Sequence, residues 1–228
     1  MKYLLTLLAS ALSLCTTAIA QDYEPTTTWP YICRDFMEGD LVMGDGQQRN
    51  GLYNVCVLDS RLHFIDGELV KEASPADVLH VRLGQDRYIN AGGRMMKVLA
   101  ESEHGIVAEE TLADLTRLNE TGGAYGSSSS SMATTALSSI SMGPRINISH
   151  MELKNSKSEG KILPLTSRIY LLVGMDIIYA TRKDVSQTAG VDKDAFKLFC
   201  KEHKIKWKDP QSLLGVIDFL SGQKGGGL

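Results

Sequence analysis

The sequence predicts an α+β protein: mainly an antiparallel β meander, rolled into a small barrel or sandwich, closed by a C-terminal pair of short helices. Three observations carry that reading. Residues 36–110 pass through successive β-rich runs separated by tight turn signals. Residues 146–190 repeat the pattern beyond a serine- and glycine-rich stretch. From Asp192 onward the apolar residues recur at helical rather than strand spacing.

The first twenty residues, MKYLLTLLASALSLCTTAIA, read as a signal peptide (1–20). Lys2 precedes an apolar run from Tyr3 to Cys15, and Ala18-Ile19-Ala20 supplies the small-residue cleavage pattern before Gln21. A membrane anchor needs about 20 apolar residues; this run is shorter and softens at Thr16-Thr17. Lipid on Cys15 is not expected, because bulky Leu14 stands where such signals want a small residue. Four segments follow: a β-rich N-terminal half (21–121), a Ser/Gly-rich loop (122–145), further strands (146–190), and the helical pair with its tail (191–228). Residues 169–180 form the longest later apolar run, and Gly174 and Asp176 break it. The mature chain is therefore expected to hold no transmembrane segment and to be exported, to the periplasm or the cell surface.

Within the N-terminal half, WPYICRDF forms an aromatic arm. DLVMGDGQQRNGLYNV carries a turn signal at Gly44-Asp45-Gly46 and another at Asn50-Gly51. YNVCVL and RLHFID are β-rich runs joined at Asp59-Ser60, with a further turn at Asp66-Gly67. Leu62, Phe64 and Ile65 against His63 and Asp66 fit a strand with one buried face. In DVLHVRLGQDRYIN strict alternation puts Val78, His80 and Arg82 on one face and Leu79, Val81 and Leu83 on the other. RMMKVLAESEHGIVAEETLADL reads as a hairpin turning near His104-Gly105. GAYGSSSSSMATTALSSI favours a loop, although Met132, Ala133, Ala136, Leu137 and Ile140 hint at a short helix in its second half. INISHMELKN and KILPLTSRIYLLVGMDIIYATRKDV supply three or four more strands, with a hairpin at Val173–Asp176. DKDAFKLFCKEHKI then starts with Asp192 and Asp194, suited to a helix N-terminus. DPQSLLGVIDFLSG offers Asp209 as N-cap, Pro210 in the first turn and Gly222 as the stop. Phe196, Phe199, Leu213, Ile217 and Leu220 should dock this pair on the sheet.

The chain carries 24 basic and 27 acidic side chains, a net charge of −3, so no nucleic-acid partner is expected. The charge is uneven. Residues 101–120 concentrate Glu101, Glu103, Glu109, Glu110, Asp114 and Glu120 against Arg117, whereas 197–208 concentrate Lys197, Lys201, Lys204, Lys206 and Lys208 against Glu202. These read either as two solvated faces or, for the basic run with Trp207, as a docking patch for an acidic partner or a phosphate-bearing surface polymer. Cys33, Cys56 and Cys200 survive processing. Cys33 and Cys56 are open to a disulfide, three buried thiols being the other outcome, and Cys200 falls one turn after Phe196 as a small core residue.

The WPYI arm, the Phe36-Met37-Glu38-Gly39 strand start, YNVCVLDSRLHFI, the GAYG-serine stretch and the closing KEHKIKWKDPQSLLGVIDF together resemble a family of uncharacterised secreted envelope proteins of Bacteroidetes. The resemblance spans most of the mature chain, and its motifs are turns, a hairpin core and a helix pair. It implies export and a role at the envelope, and it supplies no catalytic residue.

Sequence motifs for chemistry are absent. No Gly-x-Ser-x-Gly elbow follows Gly126. His63, His80, His104, His150 and His203 form no H-x-H or H-E-x-x-H pair, so a metal site would need distant residues meeting in space, and none is expected. Glu101 and Glu103 share a strand face, which alone is an exposed acidic strand rather than a glycosidase pair. No phosphate loop, dinucleotide fingerprint or calcium loop is present, and no cofactor is expected. The expected function is a non-enzymatic binding or structural role at the envelope, with an envelope protein or surface polymer as partner. The alternative is a secreted hydrolase acting on glycan or peptide through a dispersed site.

Overall fold

The computed structural model describes residues 23–120 and 146–225. The expected signal peptide, Cys15 and the Ser/Gly-rich loop lie outside the described residues. The fold is the α+β meander that the sequence predicts: one antiparallel sheet of eleven strands with short helices toward the C-terminus. The strands are β1 (Met37–Met43), β2 (Gln48–Val55), β3 (Leu62–Asp66), β4 (Leu69–Glu72), β5 (Val78–Leu83), β6 (Asp86–Ala91), β7 (Arg94–Ser102), β8 (Gly105–Ala113), β9 (Ile148–Ser149), β10 (Leu165–Val173) and β11 (Asp176–Tyr179). Two meanders leave a common centre, because β5 returns to pair with β1. One runs β1-β2-β3-β4-β9 and the other β5-β6-β7-β8-β10-β11. Strands from both sides of the 122–145 segment thus share one ladder.

The sheet is curled. Four strand spacings separate β2 from β7 along the ladder, about 19 Å in a flat sheet. Yet Ser60, just beyond β2, accepts from the Met95 N–H at 2.7 Å and donates its hydroxyl to the Met95 carbonyl at 2.9 Å. The Ala113 N–H likewise reaches the Val57 carbonyl at 2.7 Å. Leu41, Tyr53, Val55, Leu62, Val81, Leu83, Tyr88 and Met95 fill the inside of this roll.

Four local expectations are corrected. Asn50-Gly51 is not a turn but the middle of β2, where Gly51 pairs with Gly39. The backbones crowd there: a side chain on Gly39 would place its Cβ 2.6 Å from the Arg82 carbonyl oxygen. Strict alternation fails at Leu79, because the β1–β5 register slips between Val42 and Met43. That bulge turns Val78 inward and leaves Leu79 exposed. HMELKN is a helix, α2 (His150–Asn155), since Ser149 caps it by accepting from the Glu152 N–H, the Ser-x-x-Glu signature of a helix start. Arg182–Ser186 is likewise a helical turn, α3, capped by Thr181, not a strand extension. A short helix α1 (Leu115–Glu120) also follows β8.

The predicted C-terminal pair is present as α4 (Lys193–Glu202) and α5 (Pro210–Gly225). Asp192 caps α4 by accepting from the N–H groups of Asp194 and Ala195. Asp209 does the same for α5 through the Gln211 N–H at 3.1 Å. Gly222 does not stop α5: a Cβ there would meet nothing within 4 Å, so neither packing nor a left-handed turn interrupts the helix. Phe196, Leu213, Ile217 and Leu220 are fully buried against Val107, Leu171 and Val173 of the sheet, and Phe199 is half-buried beside them. Cys200 joins the same cluster, as expected.

Helix α4 closes with the Ile205 N–H on the Cys200 carbonyl at 3.3 Å, and Lys204 takes φ +48°. This closure favours glycine, because a left-handed conformation costs an L-residue about 1–2 kcal/mol. Lys204→Gly should therefore raise stability by roughly 1 kcal/mol, about 2–4 °C in Tm. Calorimetry giving an unchanged or lower Tm would count against a strained Lys204.

Candidate functional site

The basic end is built by the turn between α4 and α5. Lys197 and Lys201 stand on the outer face of α4; Lys204, Lys206 and Lys208 follow on the connection. All five are exposed, and among the described residues none of them forms an ion pair. The acidic stretch does not answer them: Glu101 pairs with Arg87, and Glu110 with Arg94. Trp207 behaves differently. It is half-buried and packs edge-on against Phe196, ring centres 6.3 Å apart, so it belongs mainly to the helical core rather than to the patch. The Lys206 N–H is held by the Ser212 hydroxyl at 2.9 Å, which ties the connection to the first turn of α5.

A groove of about 580 Å³ opens on the outer face of β1, β2 and β5. Glu38, Asp40, Asn50 and Arg82 line it over a floor of glycines. Both carboxylates stand exposed in the same setting. No histidine or cysteine lines the groove, so the converging buried groups that a dispersed hydrolase site requires are not found in it.

The buried chemistry lies elsewhere, at the corner between β2 and β3. The corner is tight: the Cys56 N–H bonds the Arg61 carbonyl and the Ser60 N–H bonds the Cys56 carbonyl, both at 2.9 Å, with Ser60 at φ +60°. It brings Cys56 Sγ, an Asp59 carboxylate oxygen and a His63 ring nitrogen within 4.8 Å of one another. Cys56 and His63 are both 0% exposed, and Asp59 reaches solvent. The sequence reading gave this strand a single buried face with His63 on the other. His63 does lie opposite Leu62, but that face is buried as well, because Tyr31 of the aromatic arm covers it, its hydroxyl 3.0 Å from His63 Nδ1. The other ring nitrogen, Nε2, is buried without a hydrogen-bond partner, and Glu72 Oε2 across the β3–β4 ladder stands 3.9 Å away.

Burial pulls the His63 imidazole down to about 4, against the opposing pull of the Asp59 charge. Burial also pushes the Cys56 thiol well up, and the Asp59 charge adds to it. Burial thus favours the thiol over the thiolate that a nucleophilic cysteine requires. The spacing of the trio, Cys-x2-Asp-x3-His, is the signal that a scan for Cys-x-x-C or paired histidines passes over.

Among the described residues, Cys33, Cys56 and Cys200 are all free thiols. The Cys33–Cys56 disulfide is not formed, and the register explains it. Cys56 pairs with Tyr31, so Cys33 lies opposite Asn54, whose Oδ1 accepts the Cys33 N–H at 3.0 Å. Diagonal neighbours of this kind sit about 7–8 Å apart, beyond the usual Cα range of a disulfide. Burial raises the Cys33 thiol to about 11.

Fold and clusters together define a class only: a curled antiparallel sheet capped by helices, with a basic end and one mixed sulfur–nitrogen–oxygen corner. No protein-family model, curated protein or solved structure matches the chain.

Proposed function

We propose that this is an exported protein of the bacterial envelope that acts by binding rather than catalysis, docking its basic end onto an anionic partner, either an acidic envelope protein or a phosphate-bearing surface polymer. The observation that carries this reading is the set of five exposed lysines at the α4–α5 turn, none of which forms an ion pair among the described residues. Lys204 adds support: it keeps a long cationic side chain where the backbone favours glycine, and strain retained at one position is a pointer to function. The leader-like first twenty residues and the resemblance to secreted Bacteroidetes proteins support export. No helix among the described residues is long and apolar enough to cross a membrane.

The test is a double charge reversal, Lys201→Glu with Lys204→Glu. Surface changes of this kind leave stability within about 0.5 kcal/mol, so the variant should melt like the parent. Binding to native envelope fractions at low salt should fall by roughly tenfold or more, and its salt dependence should flatten. Protease treatment of the fractions separates a protein partner from a polymer. Undiminished association of the folded variant would remove the basic end from the function.

A further inference from the structure

We propose that Cys56, Asp59 and His63 form a binding site for a divalent transition-metal ion of the zinc type. The donors are one sulfur, one imidazole nitrogen and one carboxylate oxygen, already within 4.8 Å of one another. This mixed soft and borderline set selects zinc-like ions over magnesium or calcium, which take oxygen alone. Charge balances as well. A dication with one thiolate, one carboxylate and a neutral imidazole is neutral overall, so the core accepts the complex where it would reject a lone thiolate. Binding releases the Cys56 proton to solvent as the metal–sulfur bond forms.

A second observation falls on the same imidazole. His63 is 0% exposed, and its Nε2 has no hydrogen-bond partner, a costly state for a buried polar atom. Its Nδ1 is engaged by the Tyr31 hydroxyl at 3.0 Å, the outer contact that ordinarily fixes the ring of a ligating histidine. Tyr31 itself is packed between Trp29 and Phe36, with ring centres 5.3 and 4.9 Å away, so the orienting group is rigid. Entry is from the Asp59 side, the only member of the trio that reaches solvent. Three protein ligands leave one position for water or for Glu72 on the adjacent strand.

The experiment uses the full mature chain, stripped by chelator and then titrated with zinc, cobalt(II) or magnesium. Zinc at a hundredfold excess over its Kd should raise Tm by roughly 5–10 °C, and magnesium should not. Cobalt(II) should bind one per chain with a thiolate-to-metal charge-transfer band that disappears in Cys56→Ala. Since Cys56 and His63 are core positions, Asp59→Asn supplies the surface variant: it should fold normally and bind zinc at least roughly tenfold more weakly. The proposal is overturned by an absent charge-transfer band, by a band that survives Cys56→Ala, by equal stabilisation with magnesium, or by unchanged zinc affinity in folded Asp59→Asn.

Discussion

Arg94→Met is expected to destabilise the protein by roughly 3–5 kcal/mol, while Glu110→Gln costs distinctly less. Glu110 is only 2% exposed, on the middle of β8, and both its oxygens accept from Arg94 Nη1, at 3.2 and 3.1 Å. The Tyr170 hydroxyl donates to the same carboxylate at 3.2 Å, and the Arg94 guanidinium lies 5.2 Å from the centre of that ring. Met96, Ala108 and Tyr170 form the apolar surroundings. The two partners are unequal, since the Arg94 side chain is 36% exposed. Without Arg94 a carboxylate is left in an apolar site with one neutral donor. Without the Glu110 charge, the arginine turns to water. Urea unfolding of both variants at neutral pH measures the asymmetry. Equal losses, or a loss under about 1 kcal/mol for Arg94→Met, would show that the pair is solvated.

Ile217→Ala is expected to cost about 2–5 kcal/mol, and a chain ending near Val185 should not fold stably. Ile217 is fully buried where α5 crosses the sheet, and a Cβ on Gly105 would come within 3.0 Å of its Cγ2. The helix lies that close to the β7–β8 hairpin, so little side-chain bulk is at hand to refill the cavity. Phe199→Ala should cost less than Phe196→Ala, since Phe199 is half-buried and stacks on Phe219 at 4.8 Å at the edge of the cluster. Thermal unfolding of the three single variants orders them. A Val185 truncation as cooperative and stable as the full chain would mean that the sheet does not depend on its helices.

Those helices were readable because caps and apolar stripes are local. Asp192, Asp209 and the stripe from Leu213 to Leu220 act within a few residues of one another. Turns at Gly44–Gly46, Gly67, His104 and Gly174 were readable for the same reason. Asn50-Gly51 misled because its turn tendency yields to cross-strand pairing with Gly39, and Leu79 because a bulge shifts the alternation by one residue. The Ser149-x-x-Glu152 cap was present in the sequence and outweighed by the β-like run before it. The Cys56–Asp59–His63 corner was beyond local reading. It depends on the turn at Ser60 and on Tyr31, 32 residues away, folding back over His63. The five lysines were identified correctly as exposed, whereas the inward packing of Trp207 depends on Phe196 across the helix turn.

The aromatic arm is bound on two flanks that lie at very different distances along the chain. On one side the Ile32 N–H meets the Val55 carbonyl and the Val57 N–H meets that of Pro30, both at 2.9 Å. On the other, Thr27 and Lys161 exchange bonds across 134 residues, and Thr26 pairs with Ile162. In a chain that emerges N-terminus first, from a ribosome or through an export channel, the near flank is available before the far one. The equilibrium penalty of the longer closure is modest, about 1.5 kcal/mol beyond that of the shorter one. The kinetic consequence is larger, because contacts of high sequence separation form late. For that interval Trp29 and Tyr31 have only their early partners, and the emerging chain presents a half-zipped aromatic strand until residues 157–163 arrive to cover it.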